Sequence, residues 1–123
     1  MLDDLIIEPT EDTPKITLSQ ENNEFVIEQK SLPEDAISFY KPVVEWIEKY
    51  LDNPNDNSEF NFKLEYFNTA SAKQLAKILK SLEKIKDKMK IVWHYHEEDY
   101  DMLSSGKRFE KLIDINFAFI KYN

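Results

Sequence analysis

The chain has 123 residues, 41% hydrophobic and 13% aromatic, enough to close one core and bury roughly two-thirds of its unfolded surface. It has no cysteine, which excludes disulfides, thiolate nucleophiles and zinc ribbons and fits a reducing compartment. A net charge of -8 opposes general nucleic-acid binding, and no uncharged run of about 18 residues is available to cross a membrane.

The opening MLDDLIIEP carries aspartates where a secretion signal would carry lysine or arginine, so a cytoplasmic protein is expected. LDDLIIE, PKITLSQ and EFVIEQK read as short strands, the last two joined at Glu21-Asn22-Asn23, whose asparagines tolerate the positive φ of a hairpin. Ser31-Leu32-Pro33-Glu34 has capping-box spacing with proline in the first turn, which predicts a helix from Ser31 to about residue 52. Its buried stripe is Ala36, Tyr40, Val43, Val44, Ile47, Tyr50 and Leu51, and Pro42 predicts a kink or break near residues 39–42.

After the turn-rich DNPNDNS, Phe60, Phe62, Leu64 and Tyr66 alternate with Asn61, Lys63, Glu65 and Phe67, a strand pattern. A helix is predicted from about Ser71 to Met89, burying Leu75, Ile78, Leu79, Leu82, Ile85 and Met89. KIVWHYHE is a strand, EEDYDMLSSGKRFEKL a short helix and INFAFIKY a last strand. The order β-β-β-α-β-α-β-α-β predicts a single α/β domain over residues 1–123, with right-handed crossovers and a mixed, mainly parallel sheet. Gly106 is the sole glycine, so no glycine-rich phosphate loop exists.

Three stretches carry candidate chemistry. His94 and His96 share a strand face beside Glu97, Glu98, Asp99 and Asp101, where a metal or small ligand is one reading. The other gives the carboxylates a helix-capping role, and no nucleophile motif accompanies the histidines. Residues 73–90 hold seven lysines against Glu83 and Asp87, a net of +5 that leaves -13 elsewhere. That basic helix is either a solvated surface or a means of steering toward an acidic partner. Asn68-Thr69-Ala70-Ser71 is the third. Ser71 with Gln74 fits a capping box, while a hydroxyl at a strand-to-helix turn also stands where free N–H groups and the helix dipole favour a phosphate.

The run TPKITL, the block KSLPEDAISFYKPVVEWIEKYL, then FKLEYFNTASAKQLAKIL, VWHYHEEDYDML and a closing F-A-F-I resemble the SiaC-type regulatory phosphoproteins of bacteria over nearly the whole chain. The matching residues of the first block are Ser31, Pro33, Glu34, Phe39 and Tyr40. The resemblance implies a STAS-like fold and a partner switch with neither catalytic residues, cofactor nor metal. It implies a histidine-kinase-like serine/threonine kinase, a PP2C-type phosphatase, and a dephosphorylated form that binds a GGDEF-domain diguanylate cyclase. Thr69 then falls at the phosphoacceptor, with Ser71 the alternative, and Asn68, Thr69, Ser71, Lys73 and Lys77 form the expected docking residues. Ala70 departs from the family's common second serine. Lys107 and Arg108 stand where an acidic stretch is usual, which bears on the partner.

Overall fold

The computed structural model describes residues 1–123. Its elements are β1 (Leu5–Ile7), β2 (Lys15–Ser19), β3 (Glu24–Ser31), α1 (Ala36–Tyr50), β4 (Ser58–Phe67), α2 (Thr69–Leu82), a 3-10 segment (Glu83–Lys88), β5 (Met89–His96), α3 (Tyr100–Leu112) and β6 (Phe117–Tyr122). The strands lie in sequence order in one sheet. The pairs β1–β2 and β2–β3 are antiparallel, and the remaining pairs are parallel. This is the expected mixed α/β order. Each parallel crossover steps one strand in the same direction, so crossovers of one hand set all three helices on the same face.

Register explains the core. Leu18, Phe25, Phe60 and Ile91 form one row across the sheet, and Ile16, Ile27, Phe62 and Trp93 the next. Helix stripes close over both rows. Phe25 stacks on Phe60 at 4.4 Å and meets Tyr50 of α1 at 5.2 Å, while Trp93 packs on Phe62, Phe67 and Phe109. The α2 stripe is buried as its spacing predicts, but α2 ends at Leu82. The 3-10 segment then leaves helical geometry at Ile85 (φ -121°), and Met89 opens β5 instead of ending a helix.

Other boundaries differ for local reasons. Ser31 is the last residue of β3, and the N-cap of α1 is Asp35, whose carboxylate accepts the Ser38 N–H at 3.2 Å. The S-x-x-E spacing at Ser31 is therefore not a capping box, and Pro33 precedes the helix. Pro42 does not break α1, which continues from Ala36 to Tyr50. Pro42 is exposed, so water can satisfy the carbonyl that its missing N–H leaves free. In β4 the pairing jumps from Gln29↔Leu64 to Lys30↔Tyr66. The bulge skips Glu65 and shifts the phase by one, so Tyr66 turns outward and Phe67 packs inward on Trp93. Gln29, at the bulge, has φ 77°.

The sheet's other face carries no helix. Thr17, Val26, Asn61, Val92 and Ala118 align across it, and His94 Nε2 lies 2.9 Å from Asn61 Oδ1, which puts a ring proton on Nε2. Partial burial, and secondarily the charge of Lys63, lower the His94 pKa from its ordinary value.

Two predictions follow from this packing. A Cβ on Gly106 would sit 2.6 Å from Trp93 Cδ1 and Nε1 and 2.9 Å from Phe119 Cε1, and Trp93 is fully buried. Gly106→Ala therefore loses about 1–3 kcal/mol to overpacking, against a helix-propensity gain of about 1 kcal/mol. Urea unfolding should show a lowered midpoint with the slope unchanged. For His94, the folded pKa lies below the unfolded value of about 6.5, so the unfolded chain takes up this proton first. The stability contributed by neutral His94 is present above that value and lost as pH falls through the folded pKa. His94→Gln should flatten the stability profile just below pH ~6.5, as read by thermal melts across pH.

Candidate functional site

The end of β4 delivers Asn68 to the start of α2. Asn68, with extended backbone (φ -85°, ψ 174°), is the N-cap, and its Oδ1 accepts the Ser71 N–H at 2.8 Å. The Asn68 carbonyl accepts the Ala72 N–H at 2.9 Å. The cap lies three residues earlier than the Ser71–Gln74 spacing suggests. Thr69 and Ala70 are thus the first two helical residues, and their N–H groups have no carbonyl available within the helix. Thr69 and Ala70 are exposed, whereas Ser71 is fully buried.

Ser71 is buried because it completes a hydrogen-bonded chain. Its Oγ donates to the Ser31 carbonyl at 3.0 Å and accepts from Ser31 Oγ at 2.8 Å. Ser31 Oγ also lies 2.6 Å from Tyr40 Oη. Each hydroxyl has one proton and that of Ser31 is directed to Ser71, so Tyr40 is the donor to Ser31. The Ser31 carbonyl takes a second bond from Asn68 N–H at 3.1 Å. Three elements meet on Ser31: its own strand β3, Tyr40 of α1 and the first turn of α2. Ser31, Tyr40 and Ser71 are each 0% exposed, yet no buried side-chain polar atom lacks a partner. Burial pushes the Tyr40 pKa up to about 12, partly offset by its hydrogen bond with Ser31, so the phenol remains a donor.

Thr69 opens onto a shallow groove of about 510 Å³ between the starts of α1 and α2, lined by Glu34, Asp35, Ile37, Ala70, Lys73 and Gln74 among others. Hydrogen bonds from Ser38 hold the Asp35 carboxyl below its ordinary pKa, so that rim is anionic. Lys73 and Lys77, on successive turns of α2 after Thr69, are exposed and make no ion pair. Lys80, Lys86 and Lys90 pair with Glu83, Asp114 and Glu59. Of the five expected docking residues, Asn68 and Ser71 are structural supports, and Thr69, Lys73 and Lys77 are presented to solvent.

Sequence reasoning missed Ile37, which is 71% exposed at the groove. Its signal was an isoleucine off the apolar stripe of an amphipathic helix. It also missed the joining of Ser31 and Tyr40 to Ser71, since a serine beside Pro-Glu looks like a cap.

The histidine cluster is arranged differently from a metal site. His94 is engaged by Asn61, His96 Nδ1 accepts the Glu98 N–H at 3.1 Å, and the Asp99 carboxylate caps α3 by accepting the Met102 N–H at 2.9 Å. No three His, Asp or Glu side chains converge to hold an ion. No helix is long and apolar enough to cross a membrane.

Comparisons with known proteins bear on the family and the fold. Residues 7–122 match the SiaC family of regulatory phosphoproteins. The chain is 26% identical over 121 residues to an uncharacterised protein of Pseudomonas aeruginosa (strain UCBPP-PA14), covering 96% of this chain and 94% of that one. The structure of SiaC of Pseudomonas aeruginosa superposes with a TM-score of 0.87 at 25% identity, covering 98% of this chain and 100% of that one. A chain in the crystal structure of the diguanylate cyclase SiaD in complex with its activator SiaC, from the same organism, superposes with a TM-score of 0.89 at 25% identity. That match covers 97% of this chain and 100% of the other. With a family match that runs from β1 to β6, the chain belongs to the SiaC family of regulatory phosphoproteins.

Proposed function

We propose that this chain is a non-enzymatic partner switch, phosphorylated reversibly on Thr69 by a histidine-kinase-like serine/threonine kinase and dephosphorylated by a PP2C-type phosphatase. Its unmodified form binds a diguanylate cyclase, as SiaC binds and activates SiaD. The carrying observation is the contrast between two hydroxyls in one turn: Thr69 exposed beside a groove with a bare isoleucine, Ser71 buried and fully bonded.

The switching follows from charge and desolvation. Ile37 and Ala70 give the groove an apolar patch for a partner to cover, and Lys73 with Lys77 steers an acidic partner toward it. Phosphate on Thr69 adds about -1.5 to -2 charges at that patch. Within the free chain it meets the positive end of α2 and Lys73 one turn on. Beneath a docked partner the same group must be desolvated against apolar atoms and the Glu34–Asp35 rim, which makes the complex unfavourable.

Binding of the purified chain to a diguanylate cyclase from its own cells tests this directly. Thr69→Ala should bind within about threefold of the parent, and Thr69→Asp should bind at least about tenfold more weakly, or about 1.4 kcal/mol. Ile37→Ser should weaken binding without lowering the melting temperature, since Ile37 contributes little to the core. Equal affinities for Thr69→Ala and Thr69→Asp would remove Thr69 from the interface and end the proposal.

A further inference from the structure

We infer that the chain Tyr40–Ser31–Ser71 decides which hydroxyl of the turn is phosphorylated; the inference rests on the phosphoswitch reading above and adds that acceptor choice is built into the substrate's fold. Two hydroxyls lie two residues apart at the start of α2, and a kinase that captures this turn has both within reach. Phosphoryl transfer from a nucleoside triphosphate forms an O–P bond at the acceptor oxygen, breaks the bond from the γ-phosphorus to the β,γ-bridging oxygen and releases the diphosphate. The acceptor's proton passes to a base on the kinase. The acceptor oxygen must therefore be accessible and its proton free.

Ser71 meets neither condition. Its proton is committed to the Ser31 carbonyl, its oxygen accepts the Ser31 proton, and the residue is 0% exposed. Rotating Ser71 outward strands the Ser31 hydroxyl in a closed interior and breaks the relay fed by Tyr40. Thr69, in the exposed first position of α2, carries no such commitment to the core. Tyr40 and Ser31 are thus positioning residues. They touch neither kinase nor nucleotide, and they act by holding Ser71 inside.

The test uses the tagged full chain expressed in its own bacterial cells from which the PP2C-type phosphatase has been deleted, recovered under denaturing conditions, with phosphate mapped by fragmentation mass spectrometry. The parent, Tyr40→Phe and Ser31→Ala are compared, each checked for a folded far-ultraviolet spectrum. The parent should carry phosphate on Thr69 alone. At least one folded variant should carry about a tenth or more of its phosphate on Ser71, a redistribution that a purely structural loss would not produce. Tyr40→Phe deletes a single hydroxyl and keeps the ring, so it preserves the test if Ser31→Ala fails to fold. Phosphate on Thr69 alone in the parent and in every folded variant overturns the inference and leaves the switch standing. A parent without phosphate at either residue overturns the switch and this inference together.

Discussion

The whole arrangement around the turn depends on the double use of Ser31. Its carbonyl receives Asn68 N–H and the Ser71 hydroxyl, and its own hydroxyl bridges Ser71 and Tyr40. Remove the Ser71 hydroxyl and the buried Ser31 O–H loses its acceptor, at a cost of about 1–3 kcal/mol. This asymmetry matters more than the modest net worth of each bond. It forces the end of β3, the first turns of α1 and the start of α2 to move as a unit, and so fixes where the mouth of the groove lies. Small hydroxyls suit the junction because apolar side chains there would leave the Ser31 carbonyl with the Asn68 N–H alone and remove the tie to α1.

Much of the fold was legible because its signals are periodic. Phe60, Phe62 and Leu64 alternate and are buried; Leu75, Ile78, Leu79 and Leu82 step by three and four and are buried. The order of elements along the chain follows from the alternation of these two periods. What failed was aperiodic. The bulge at Glu65 is a single skipped residue, yet it inverts the exposure of Tyr66 and Phe67. Pro42 breaks a helix only where its missing bond cannot be replaced, and exposure replaces it. Residues 83–88 retain helical spacing in sequence but tighten into a 3-10 segment before β5.

The site divides in the same way. The turn from Asn68 to Ser71 could be singled out from its place in the chain, because helix starts have a local chemistry of free N–H groups and short polar side chains, whereas the choice of Thr69 within it rested on the family resemblance. The division between Thr69 and Ser71 depends on Ser31, forty residues before Ser71, and on Tyr40 in another helix. S-x-x-E and S-x-x-Q are ambiguous for the same reason. A serine followed by an acid or amide fits a cap, but equally fits a strand end whose hydroxyl turns inward, and only the third dimension distinguishes them. The block around Ser31 and Tyr40 and the turn around Thr69 and Ser71 look like separate stretches of sequence, yet they are the two halves of one hydrogen-bonded junction.

Charge gives this junction its direction. The chain is acidic overall, yet the exposed face of α2 after Thr69 presents Lys73 and Lys77 without partners, while lysines further along are tied to Glu83, Asp114 and Glu59. Across the groove, Asp35 is held ionised by its capping bonds with Ser38 and cannot readily protonate to make room for another anion. A phosphate on Thr69 would therefore face two unequal sides: the helix N-terminus and a mobile ammonium on its own helix, a fixed carboxylate opposite. In open solvent the favourable side suffices, since water screens the other. Under a partner, screening is lost and the fixed carboxylate would count in full, so on the proposed reading a phosphate there would be tolerated by the free chain and opposed in the complex.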